Sequence, residues 1–300
     1  MTKVFGDYDQ AGLDGEYDNR AKVPEALDFM GKYATQSAAA RQALARRLDV
    51  PFGPGGEGLL AIFPAPEGAA PPAPIQVFIH GGYWKMLSKD DLSYVARAFT
   101  PQGCATVVVN YGLIPAIDMD ELVRQCRAAL AWTYRNAATF GADRERIFIS
   151  GHSAGGHLVA MMMATDWPGF DDRTPALPKN LVKGGCGIAG LYDLEASRRC
   201  CLNDDVRLSR AEADRNSTVG RAPGGAGPRA PKRGGSDGPE DRAGALRGEI
   251  QRQAEAMKGI ERTDNGQVCG GGGKYGVIAG EYARPGLGPQ GRDDADGAGD

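Results

Sequence analysis

The first two-thirds of the chain alternates between continuous apolar runs and longer mixed stretches with helical spacing. "GLLAIFP", "PIQVFIH", "CATVVVN" and "RIFIS" are apolar nearly throughout, and "LVKGGCGIAG" is a similar run broken by glycine. The later ones lack the in–out alternation of a half-exposed strand, which is how parallel strands buried on both faces read. Between them lie predicted helices. "VPEALDFMGKYATQSAAARQALARRL" holds a single glycine, Gly31, and opens with Pro24 near its first turn. "KDDLSYVARAF" and "AGGHLVAMMMAT" also read as helices, and "DMDELVRQCRAALAWTYRNAATFG" reads as a long amphipathic one ending at Gly141. Strands alternating with helices predict an α/β fold with a mostly parallel, doubly wound sheet.

The pattern stops near residue 219. The chain has 44 glycines, and 22 of them lie from Gly220 onward. That stretch has no Phe or Trp, and Tyr275 and Tyr282 are its aromatics. Residues 1–218 are therefore expected to form the α/β core. Residues 219–300, rich in Gly, Pro and Arg, offer too little burial to offset ordering entropy and are predicted to be mostly irregular, with a short helix near Ile250–Met257.

Charge and cysteine usage narrow the function classes. Among 300 residues the formal charge is −3 and no long basic run occurs, so neither nucleic acid nor an anionic membrane is an expected partner. No apolar run reaches the ~18 residues of a membrane span. The polar, acidic start does not read as a signal peptide. The six cysteines form no C-x-x-C pair, and reduced thiols in the cytoplasm are the expectation. Three scattered histidines make no metal cluster, so neither a metal nor another cofactor is expected.

The chemistry centres on Gly151-His152-Ser153-Ala154-Gly155, a G-x-S-x-G between an apolar strand and a helix. A serine there sits on a sharp, strained turn that tolerates only small residues two positions before and after it. Backbone N–H groups at the helix start lie close to it. The plain alternative is a glycine-rich turn with an incidental serine. Upstream, His80-Gly81-Gly82 ends another strand, and N–H groups there could join that of Ala154 in an oxyanion hole.

"HGGYW" together with "GHSAGGHL" resembles the arylformamidase (kynurenine formamidase) and esterase branch of the α/β-hydrolase superfamily. "YDQAGLDGEYDNR" and "GLYDLEASRRCCLNDDVRLSRAEADRNS" extend the resemblance over roughly residues 7–217. It implies an α/β-hydrolase fold and hydrolysis of N-formylkynurenine, a related aryl formamide or a small ester, by a metal-independent Ser-Asp-His triad. Ser153 becomes the nucleophile, and Gly81, Gly82 and Ala154 the oxyanion donors. Tyr83 and Trp84 border the acyl pocket, or are core aromatics. In this fold the acid and then the histidine follow the serine. "GGSDGPE" resembles the acid turn, making Asp237 the candidate and Glu240 the second choice, with a solvated loop as the alternative. "GKYGVIAGEYARPG" resembles the histidine segment, but Tyr275 and Gly276 stand where the histidine belongs.

No histidine follows His157. His152 should diverge from its neighbour Ser153, His157 lies on the next helix, and His80 should brace the oxyanion loop; none is expected to act as base. The final strands are thus expected to be incomplete, as in a divergent tail or a coding sequence read partly out of frame. The expected partner is a small-molecule substrate, with a homodimer left open. The readings that follow are an arylformamidase of low activity, a carboxylesterase, or a non-catalytic descendant. A metal-dependent formamidase needs clustered histidines and is set aside.

Overall fold

The computed structural model describes residues 2–53, 58–69 and 72–219. Two short helices, α1 (Gln10–Tyr17) and α2 (Asn19–Lys22), precede α3 (Ala26–Ala43). Then come β1 (Arg47–Pro51), β2 (Leu59–Phe63), β3 (Ala73–Ile79), α4 (Lys89–Leu92), α5 (Ala96–Phe99), β4 (Ala105–Val109), α6 (Met119–Asn136), β5 (Ala142–His152), α7 (Ala154–Met163) and β6 (Val182–Ile188). Helices α8 (Leu194–Arg199), α9 (Asn203–Val206) and α10 (Arg210–Asn216) complete the described chain.

Among the described residues the six strands form one sheet in the order β1-β2-β4-β3-β5-β6. β3 is parallel to β4 and β5, and β5 to β6, while β1–β2 and β2–β4 are antiparallel. The sheet is thus mostly parallel and doubly wound. Side chains alternate across it. Ile75, Val77, Ile79, Val107, Ile147 and Ile149 join the main core under α6 and α7. Phe63, Phe78 and Val108 face the other way, against Leu92 of α4 and Ala96 of α5. From β3 the chain goes on to β4 on one side, and from β5 to β6 on the other. The C-terminal ends of β3 and β5 therefore flank a switch point, where open α/β sheets place their ligands.

Several elements depart from the sequence reading. The helix expected through Leu48 ends at Ala43, and Arg47–Pro51 is drawn into antiparallel pairing with β2 (Arg47↔Ile62, Val50↔Leu60). The helix expected over "KDDLSYVARAF" is broken into α4, a 3₁₀ turn (Ser93–Val95) and α5. Ser37 of α3 intrudes on its ladder: the Tyr94 N–H donates to Ser37 Oγ at 3.0 Å, and that hydroxyl donates to the Asp91 carbonyl at 2.6 Å. An inserted side chain of this kind is a recognised cause of helix breaks. Helices α1, α2 and α8–α10 also form where none were read; α10 is started by a capping box between Ser209 and Glu212. Beyond Val219, the expectations for an irregular segment, a helix near Ile250–Met257 and incomplete last strands lie outside the described residues.

Candidate active site

Ser153 joins the end of β5 to the start of α7 with φ 57° and ψ −121°. That left-handed backbone is costly for a serine, by about 1–3 kcal/mol, and persists only where its surroundings enforce it. They do so here by close packing. A methyl group on Gly151 would lie 2.4 Å from the Gly155 carbonyl oxygen, and one on Gly155 would lie 2.1 Å from that of Ile79. The Ser153 N–H donates to the Ile188 carbonyl at 2.8 Å, stitching the turn to the end of β6. As the first residue of α7, Ala154 has no intrahelical acceptor for its N–H.

The strand-end loop after β3 lies against this elbow. In register, Ile79 pairs with Gly151. A methyl group on Gly81 would meet the His152 carbonyl oxygen at 2.6 Å and the Ser153 Cβ at 3.3 Å. The next three residues all have positive φ: Gly82 at 102°, Tyr83 at 49° and Trp84 at 60°. So the structure sets Gly81 against Ser153, with Gly82 and Ala154 as their neighbours in the chain.

Each side chain after Gly82 is tied to a different element. The Tyr83 hydroxyl donates to the Tyr17 carbonyl at 3.2 Å and accepts from Asn19 Nδ2 at 2.7 Å. Its burial pushes the phenol well above its usual range. Trp84 is 1% exposed and donates through Nε1 to His157 Nδ1 at 3.2 Å. Of the two expectations for Trp84, the packing is that of a core aromatic, whereas Tyr83 is half-buried. Lys85 forms an ion pair with Asp205 of α9. The segment carrying Tyr17 and Asn19 is itself fastened. Leu13 and Tyr17 are buried in the main core, Gln10 Nε2 donates to the Arg199 carbonyl, and Asp14 Oδ1 accepts from the Cys201 N–H. None of these ties was legible in the sequence.

Among the described residues no histidine hydrogen-bonds the Ser153 hydroxyl. His157 is fully buried between Trp84 and the Asn216 carbonyl. His80 is buried, stacks on Tyr111 at 4.1 Å and bonds the Gly81 carbonyl through Nδ1 at 2.8 Å, so it braces the loop after β3. The Tyr111 hydroxyl adds a bond to the His80 carbonyl. Burial lowers His80 and His152 to about 4, and their Nε2 atoms are buried without partners among the described residues. Asp237 and Glu240, with Tyr275 and Gly276, lie outside the described residues. Also among the described residues, no group of three or more His, Cys, Asp or Glu side chains is placed to hold a metal ion, and no helix is long and apolar enough to cross a membrane.

The lowered His80 value gives a stability prediction. The unfolded chain takes up a proton below about pH 6.5, and the folded chain does not until about pH 4. Stability should therefore fall as pH drops from about 6.5 to about 4, by up to ~1.4 kcal/mol per pH unit for each such histidine. Asp171 and Glu195, held near 2 by Arg135 and Arg198, act at lower pH, losing their contribution as pH falls toward 2. Urea unfolding between pH 4 and 6.5 should show a shallower pH dependence in His80→Gln; an unchanged slope would mean that His80 is not buried neutral.

The BD-FAE family model matches residues 60–209, half of the chain, from β2 to the start of α10. The chain belongs to the BD-FAE family. This BD-FAE chain is 32% identical over 178 residues to a kynurenine formamidase of Danio rerio, covering 59% of this chain and 57% of that protein. It is 33% identical over 163 residues to esterase LipQ of Mycobacterium tuberculosis, covering 51% and 37%. The chain spans about half the length of the kynurenine formamidases it matches. A crystal structure from silicibacter sp. tm1040, provisionally named a thioesterase, superposes with a TM-score of 0.62 at 26% identity, covering 82% of this chain and 87% of that one. Esterase B from Lactobacillus rhamnosis, at 17% identity and a TM-score of 0.51, shares the fold, over 68% of this chain and 71% of its own. The fold is that of the α/β-hydrolases.

Proposed function

We propose that this BD-FAE chain carries a serine-hydrolase site of the arylformamidase and carboxylesterase type, acting on a small formamide or ester. The observation that carries the reading is Ser153 at φ 57° on the elbow, packed directly against Gly81. In the proposed step, the Ser153 Oγ adds to the substrate's carbonyl carbon and its proton passes to a base. The resulting oxyanion accepts from the N–H groups of Gly81, Gly82 and Ala154, which are fixed before the substrate arrives. Collapse of the tetrahedral adduct expels the amine or alcohol, which takes up a proton, and water then releases the acid from Ser153. No metal takes part in this scheme. Tyr83 borders the acyl side, while Trp84 acts from within the core. Cys104, Cys126, Cys186, Cys200 and Cys201 are not joined in disulfides, which suits a cytoplasmic location.

The base is the missing partner. His80 and His157 are committed to other bonds, and His152 is kept neutral with its Nε2 enclosed. Asp237 is proposed as the acid on sequence resemblance alone. These facts favour a second reading, a non-catalytic descendant that keeps the oxyanion cleft to bind a carbonyl compound. Hydrolysis of N-formylkynurenine and of p-nitrophenyl acetate, with Ser153→Ala as control, separates the two. Release of product that Ser153→Ala abolishes supports the hydrolase. Equal rates from both proteins would leave only the binding reading.

A further inference from the structure

Three side chains in a row leave the oxyanion loop, and of these Trp84 is the one tied to the elbow helix. Its partner, His157, lies on α7 four residues beyond Ser153. The indole N–H can only donate, so His157 Nδ1 must be the bare, accepting nitrogen. The Asn216 carbonyl can only accept, at 2.8 Å, so Nε2 must carry the proton. Both neighbours demand the same neutral tautomer. The rings meet edge to face, 5.4 Å apart at 87°. The far end is also anchored, since Asn216 Nδ2 donates to Asp120 Oδ1 of α6 at 2.8 Å.

The bridge spans the one distance an oxyanion hole must fix. Gly81 and Gly82 lie on the loop and Ala154 lies on α7, so the two sets of donors belong to separate elements. The loop runs through three successive residues of positive φ, a backbone that would relax if released. The geometry points to His157 as a positioning residue: by accepting from Trp84 on the loop and donating to Asn216, it sets the spacing between the oxyanion loop and the serine elbow. This deepens the serine-hydrolase reading and rests on it. A leucine at 157 would fill similar space but leave the indole N–H and the Asn216 carbonyl unpaired. A glutamine carries one acceptor and one donor at comparable separation and can restore the bridge.

The test uses the full chain, ¹⁵N-labelled, as wild type, His157→Leu, His157→Gln and Trp84→Phe. Two readouts are taken: the backbone amide shifts of Gly81, Gly82 and Ala154, and the rate at which a fluorophosphonate labels Ser153. His157→Leu should move the Gly81 and Gly82 amides while leaving those of β2 and β4 in place. It should slow labelling by up to about 10²-fold, the usual cost of a 1 Å misplacement. His157→Gln should recover most of both. Trp84→Phe keeps a ring in the core but removes the donor, and should repeat the leucine effect even if His157→Leu fails to fold. If the folded variants keep wild-type loop amides and wild-type labelling, His157 only fills space and the inference is overturned. If the wild type is not labelled, the hydrolase reading fails, and the loop amide shifts still decide whether His157 sets the spacing.

Discussion

Gly155→Ala is expected to cost the fold more than 3 kcal/mol, enough to leave much of the chain unfolded. The added methyl would lie 2.1 Å from the Ile79 carbonyl oxygen and 2.8 Å from that of His80. Both belong to the central β3 and its exit, hydrogen-bonded on each side to β4 and β5, so neither can retreat. Overpacking against side chains typically costs about 1–3 kcal/mol. Here the obstacle is backbone at the middle of the sheet, and the whole margin of a domain is only ~5–15 kcal/mol. Gly31→Ala makes the matched control. Gly31 is exposed in α3 with nothing within 4 Å of an added methyl, so that change should stabilise by ~0.5–1 kcal/mol. Urea unfolding of the three proteins checks both. A Gly155→Ala chain as stable as wild type would mean that the elbow is not packed in this way.

Turnover of p-nitrophenyl acetate is expected to depend on Ser153 and to be slow. A neutral serine hydroxyl is a weak nucleophile without a base, and none of His80, His152 and His157 is placed to be one. On the proposed reading, what remains is an oxyanion hole and binding, which in serine hydrolases leave about 10³–10⁴-fold acceleration over water. Gly82→Ala should then remove about another 10²-fold, the usual cost of losing an oxyanion donor. Gly82 has φ 102°, and a methyl there would fall 2.2 Å from the Met86 carbonyl oxygen, so the loop must rearrange. Initial rates with wild type, Ser153→Ala and Gly82→Ala test this. An ordinary enzymatic rate in the wild type would show that a base is present after all, and a Gly82→Ala rate equal to wild type would remove that donor from the hole.

The parts of this molecule legible in its sequence are those dictated by local sterics and burial. A serine between two glycines at a strand–helix junction has few conformations open to it, so Ser153 could be placed from five residues. Short runs rich in β-branched residues, such as "CATVVVN", read as buried strands, and β4 is buried along its whole length. β1 was not legible because Arg47–Pro51 is largely exposed and carries no alternation; its pairing with β2 makes it a strand. The break after α4 depends on Ser37, far away on α3. The same holds for the ties on the loop after β3. Asn19 reaches Tyr83 across 64 residues, His157 meets Trp84 across 73, and Asp205 meets Lys85 across 120. Each residue reads locally as an ordinary polar or helical position, and only the folded topology makes them partners.

The central claim is that Ser153 is a nucleophile held in a preformed oxyanion site. Its most direct test is mass spectrometry of the intact chain after long exposure to a fluorophosphonate, with peptide mapping of any adduct. The account predicts one adduct, on Ser153, formed slowly, absent from urea-unfolded protein and slowed further by Gly82→Ala. A folded chain that acquires no adduct, or acquires it on another residue, would contradict it.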